Sequence, residues 1–131
     1  MPRAWFYQEM ANDVAFMADV PGGVHGSTSL QKAPEQKPFI MYRAIAHRPR
    51  NRGDDEDVTR EETFLLFVHD VPGSYMKIDD LLAQLRTKYV NRKDTANGVA
   101  RCFWVEDSED FRDEDMGTIL RYARITVRYL P

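Results

Sequence analysis

The sequence has one cysteine, Cys102, so no internal disulfide can form, and neither a zinc ribbon nor a CxxC redox site can be built. A reducing compartment is the simplest setting for such a chain. No apolar run approaches the ~20 residues that a bilayer span needs. There is no basic excess either. Lys and Arg number 18 against 21 Asp and Glu, for a net charge of −3, the wrong sign for a protein that holds nucleic acid by neutralising phosphates. The opening residues Met1 to Ala4 lead into Glu9, Asn12 and Asp13, a segment too polar for a secretory signal. A soluble, intracellular product is expected.

Catalytic constellations are also lacking. His25, His47 and His69 are far apart and show no HxH or HExxH spacing, so each reads as a surface or strand histidine. The acidic run 107–115 places Phe111 where a calcium loop needs a ligand and Arg112 where it needs glycine. Glu35-Gln36-Lys37 matches a nuclease-like E-x-K, but Pro38 follows at once in a loop-like segment. There is no GxGxxG, Walker loop or GxSxG. Cys102, flanked by Ala100, Phe103 and Trp104, reads as a buried structural thiol. No catalytic residue, metal ligand or cofactor is expected.

What remains is a chain of 131 residues, 43% hydrophobic and 30% charged, which suits one domain, 1–131, with a core of its own. Residues 4–18 predict a helix whose core face is Tyr7, Met10, Ala11, Val14, Met17 and Ala18. Trp5 and Phe16 fall on the opposite face, about 20° apart on a helical wheel. Pro21-Gly22-Gly23 ends that helix. Residues 24–38 read as a loop with a short strand near Val24. Strands are predicted over Phe39–His47 and Glu61–His69, joined by a polar arm, Arg48–Thr59, that is long for a hairpin connection. A second helix, about Ser74–Arg92, carries Ile78, Leu81, Leu82, Leu85 and Tyr89 on one stripe. Its acidic residues come early and its basic ones late, as the helix dipole favours. Strands over Val99–Val105 and Gly117–Leu130 close the chain. The order α-β-β-α-β-β predicts an α+β fold: a four-stranded, mainly antiparallel sheet with both helices on one face.

Charge is segregated along the chain. Arg43, Arg48, Arg50 and Arg52 form a basic stretch. Asp54, Asp55, Glu56, Asp57, Glu61 and Glu62 follow, and Glu106, Asp107, Glu109, Asp110, Asp113, Glu114 and Asp115 form a second acidic patch. Such patches read as solvated loops or as surfaces that contact another chain or repel a polyanion. Trp5 and Phe16, outside the core stripe, are candidates for a subunit or partner contact. So are the four arginines.

From Pro38 onward the order of motifs resembles the tail terminator (tail completion) proteins of long-tailed, non-contractile bacteriophages. The residues that carry it are Pro38-Phe39-Ile40-Met41-Tyr42-Arg43, then Phe67-Val68-His69-Asp70-Val71-Pro72-Gly73-Ser74-Tyr75. Ile78-Asp79-Asp80-Leu81-Leu82 comes next, then Trp104-Val105-Glu106-Asp107-Ser108 with Phe111 and Asp113, and last Gly117-Thr118-Ile119-Leu120-Arg121-Tyr122-Ala123-Arg124. The resemblance implies a structural virion protein with an α+β fold and no enzymatic activity. It implies a hexameric ring at the head-proximal end of the tail, assembled in the host cytoplasm. Such a ring would stop growth of the tail tube, dock to the head–neck connector and let DNA pass through its lumen. Its implied partners are copies of itself, the tail tube protein and the connector proteins, with no membrane. Asp54, Asp55, Glu56, Asp57, Asp107, Glu109, Asp110, Asp113, Glu114 and Asp115 would then face the lumen or a ring contact, because carboxylates oppose DNA binding. Another neck or tube-related protein, and a small α+β ligand-binding or enzymatic domain, are the alternatives left open.

Overall fold

The computed structural model describes residues 2–26, 33–51 and 58–130. Two short helices come first, α1 (Pro2–Ala11) and α2 (Val14–Ala18), then strand β1 (Val24–Gly26). Two long strands follow, β2 (Phe39–Asn51) and β3 (Val58–Asp70), then α3 (Met76–Tyr89), β4 (Val99–Asp107), β5 (Phe111–Asp113) and β6 (Thr118–Tyr129). A single 3₁₀ turn, Thr95–Asn97, precedes β4. The strands form one mixed sheet in the order β1-β2-β3-β6-β4, with β5 also paired to β6. Among the described strands only the β1–β2 pair is parallel.

The fold is α+β as expected, but the sheet has six strands, not four, and the described residues hold three α-helices, not two. β1 and β5 have three residues each, too few to show a period. β5 is in effect a continuation of β4. Both run antiparallel to the same side of β6, and the interruption between them is filled by Ser108. Its backbone N–H donates to the Tyr122 carbonyl and its hydroxyl accepts from the Tyr122 N–H, both at 2.8 Å.

The predicted helix over 4–18 is broken. Asp13 adopts an extended conformation, and its carboxylate accepts the Phe16 N–H at 3.1 Å, so it starts a new helix as an N-cap. The break resets the phase of the wheel. Val14, assigned to the core stripe, is 82% exposed, whereas Trp5 and Phe16 are buried at 7% and 2%. The core stripe of α3 is as the sequence predicts: Ile78, Leu81, Leu82, Leu85 and Tyr89 are all buried. These helices pack on one sheet face, which carries Ile40, Phe64, Leu66, Val68, Ala123, Ile125 and Val127. At its centre the Phe6 ring is sandwiched between Phe64 at 4.3 Å and Tyr89 at 4.6 Å.

Both described ends of the polar arm are strand. β2 and β3 pair out to Arg48↔Glu61, Arg50↔Thr59 and Asn51↔Val58, so the connection predicted over Arg48–Thr59 contributes strand at both ends. In backbone register His47 lies opposite Glu62 and Arg48 opposite Glu61. Residues 52–57 lie outside the described region.

Candidate assembly surfaces

Side chains alternate between the two faces of a strand, and among the described residues only one face has helices on it. The other presents cross-strand rows set by the register. Met41, Phe67 and Tyr122 form one row. Arg43, Leu65, Arg124 and Glu106 form the next. Phe39, His69, Leu120 and Phe111 form a third. Phe67 and Tyr122 lie 5.8 Å apart, Tyr122 stacks on Phe111 at 5.8 Å, and the Arg43 guanidinium sits over Phe67 at 5.5 Å. Phe111 is 40% exposed. A shallow depression at this end is lined by Phe67, Phe111, Leu120, Tyr122 and the charged Arg112, Asp113 and Glu114. Toward the other end the face becomes polar: Thr63 bonds Thr126 at 3.0 Å, Arg128 pairs with Glu61 at 2.9 Å, and Arg128 and Arg101 both cover Phe103. Partly open aromatics alternating with arginine are the side chains that dominate protein–protein contacts.

The sheet edges are a second surface. β1 covers β2 only at Ile40, Met41 and Tyr42. Beyond Tyr42, no strand among the described residues pairs with the outer side of β2. On the far edge, Cys102 of β4 exchanges backbone hydrogen bonds with the 91–92 segment, and Trp104–Asp107 has no outer strand among the described residues. Each open edge is interrupted by a bulge, between Ala44 and Ala46 on β2 and between Trp104 and Glu106 on β4. The extra residues are Ile45 and Val105, exposed at 39% and 53%.

The structure withdraws Trp5 and Phe16 as contact candidates. Both are in the core of their own domain: the Asp13 cap starts a new helix that turns Phe16 inward, and in α1 the core face runs through Trp5, Phe6 and Met10. The Trp5 indole donates to Asp94 at 2.9 Å and its ring meets Tyr89 edge-on. Arg43 is exposed on the helix-free face. Arg48 and Arg50 are placed on β2 by their backbone register. Arg52, Asp54, Asp55, Glu56 and Asp57 lie outside the described residues. The second acidic patch is exposed along the β4–β5 edge: Asp107 ends β4, Glu109 and Asp110 follow it, Asp113 ends β5, and Glu114 and Asp115 lead into β6. Part of its charge is met by β6, with Glu106 3.2 Å from Arg124 and Asp110 3.9 Å from Arg121. Asp107 accepts the Trp104 indole N–H, and Asp113 accepts the Met116 N–H at 3.0 Å.

The aromatic row was not singled out from the sequence. Its signal is present, because Leu65 and Phe67, and Leu120 and Tyr122, occupy the off-core parity of strands where solvated polar residues are expected.

No chemistry gathers elsewhere. Among the described residues no three His, Cys, Asp or Glu side chains come together to hold a metal. Burial pushes the Cys102 thiol up to about 12, so it is not a thiolate near neutrality. Burial, only partly opposed by Asp113, brings His69 down to about 4. Its imidazole Nδ1 bonds the Thr118 hydroxyl at 2.8 Å and its ring stacks on Phe39 at 4.6 Å. A depression beside Trp5 and Asn12 is rimmed by charges that pair internally: Lys88 with Asp13 at 2.6 Å and Arg92 with Glu9 at 3.4 Å. The Lys88 ammonium, followed by the Phe16 N–H, holds the Asp13 carboxyl below its ordinary range.

No family model and no curated protein matches this chain. A solved structure does. A chain described as part of the virion of a native gene transfer agent (GTA) particle superposes with a TM-score of 0.71 at 12% identity, covering 96% of this chain and 92% of that one. At that identity the likeness is one of fold, and it extends over nearly the whole of both chains.

Proposed function

We propose that this chain is a structural subunit of a phage-type virion, and within it the tail terminator: a hexameric ring at the head-proximal end of the tail tube that stops tube growth, joins the tail to the neck connector and lets DNA pass. The observation that carries this reading is the near end-to-end fold match to a chain of a gene transfer agent virion, in agreement with the motif order from Pro38 to Arg124. Three features of the chain support it. The helix-free sheet face offers aromatic and arginine side chains to a partner. Among the described residues the sheet has two open edges, as a subunit with a neighbour on each side requires. The surface acids Asp107, Glu109, Asp110, Asp113, Glu114 and Asp115 would border the lumen or a ring contact, where six copies, each of net charge −3, would keep DNA from adhering in transit.

Light scattering on a sizing column, with electron microscopy of the same fraction, tests the reading. A particle of six 15.3 kDa chains with a central hole supports it, and antibody label at the head–tail junction of particles places the ring. A monomer or dimer that binds a small ligand would overturn it in favour of a binding domain, and label elsewhere in the particle would favour another neck or tube component.

A further inference from the structure

Among the described residues, the two open edges of the sheet are complementary to each other in charge and in height. β2 holds Arg43, Arg48 and Arg50 and no acidic residue, whereas residues 99–115 hold seven Asp and Glu against two Arg. The two edges lie on opposite sides of the sheet, separated by β3 and β6, so they are about 14 Å apart at ordinary strand spacing. They cannot meet within one chain.

Register then adds a coincidence that composition alone does not show. Arg43 lies opposite Leu65, Leu65 opposite Arg124, and Arg124 opposite Glu106. Arg43 and Glu106 are therefore in one row, at the two ends of the same level of the sheet and on the same face. In the next row, Ala44 leads through Phe64 and Ile125 to Trp104. The bulged residue Val105 lies between these two rows and Ile45 just beyond the second, within about one residue of the same height. A neighbour set beside this chain without a vertical shift would bring Arg43 and Ile45 of one copy to Glu106 and Val105 of the next.

We infer that the occupant of each open edge is a second copy of this chain, joined head to tail through Arg43 and Ile45 on one side and Val105 and Glu106 on the other. This rests on the ring reading and specifies its contact. A two-fold pairing of like edges would set arginine against arginine on β2 and acid against acid on β4, so the contact is heterologous, the kind that closes into a ring when there is no rise between copies. It is made by side chains and does not extend the ladder. The bulges disrupt backbone pairing at both edges, and Pro49 on β2 has no N–H to give. These devices also keep the edges from pairing with unrelated strands.

The test is site-directed cross-linking of the concentrated full-length protein with a short bismaleimide. Cys102 is fully buried, so the wild type serves as the unreactive background. The double variant Ile45→Cys/Val105→Cys is expected to give a ladder of covalent oligomers, and each single variant none, because a heterologous contact never brings like positions together. In parallel, Arg43→Glu or Glu106→Arg alone is expected to raise the apparent dissociation constant of the oligomer about ten-fold or more, and the two together to restore much of it. A light-scattering oligomer with no ladder from the double variant would overturn this contact and leave the ring reading standing. A ladder from either single variant would overturn it in favour of a two-fold contact. A ladder that runs past six bands would support the edge contact and overturn hexameric closure. A double variant and wild type that both stay monomeric at millimolar concentration would overturn both.

Discussion

The Tyr89 hydroxyl donates to the carbonyl oxygen of Phe6 at 2.6 Å, while the two rings stack at 4.6 Å. This double contact ties the end of α3 to the middle of α1, and both rings are fully buried. The phenol is so deep that burial, with Glu9 adding to it, raises it well above its ordinary range, and the hydroxyl stays protonated as a donor. Tyr89→Phe keeps the stacking and removes the donor, leaving a buried carbonyl without its partner. Chemical denaturation should show a loss of about 1–3 kcal/mol. A midpoint unchanged from wild type would mean that the carbonyl finds water instead.

Gly22 is required by close approach of backbone to backbone. Its N–H donates to the Pro38 carbonyl at 3.0 Å, and a Cβ at this position would lie 2.6 Å from the Phe39 Cβ and 2.9 Å from the Pro38 oxygen. Gly22→Ala should therefore push β1 away from the start of β2 and lower stability by about 1–3 kcal/mol, as overpacking does. A Gly22→Ala midpoint unchanged from wild type would refute the crowding argument.

His69 makes stability depend on pH. Burial lowers its pKa from 6.5 to about 4, so between those values the unfolded chain binds a proton that the folded chain does not. The sign follows: stability rises with pH through this window and is lost as pH falls from about 6.5 toward 4, by about 3 kcal/mol in all. Urea melts at pH 7 and pH 5 should show that slope, and His69→Gln should flatten it. A wild-type slope retained in the variant would assign the effect to another group.

The aromatic row predicts a separation of stability from assembly. Phe67 and Tyr122 are only partly buried and Phe111 is 40% exposed, so Phe67→Ser/Tyr122→Ser should leave the thermal midpoint within a few degrees while reducing ring formation or tail joining. Phe16→Ser, by contrast, removes a buried ring and should cost about 3–5 kcal/mol of folding stability. Loss of assembly only in proportion to loss of fold would show that Phe67 and Tyr122 merely pack the sheet.

Much of this molecule was legible along the chain. The stripe of α3, the four long strands, the buried Cys102 and the motif order from Pro38 all depend on residues near one another in sequence, where period and local chemistry are sufficient. The missing pieces are also local but too short to read: β1 and β5 have three residues each, and one aspartate cap at Asp13 breaks the first helical segment, so that Phe16 turns inward and Val14 outward, while the core face of α1 runs through Trp5, Phe6 and Met10. Which charges neutralise each other was decided only in three dimensions. The basic and acidic stretches are neighbours in sequence, but in the fold Glu61 is met by Arg128 and Glu106 by Arg124, both from β6. Strand order then carries the basic edge of β2 to the opposite side of the sheet from Glu106 and Asp107. Sequence by itself determines which residues are charged, apolar or helical. The register of four strands determines that Arg43 and Glu106 share a level, because that relation depends on three separate strand pairings and on no single stretch of the chain.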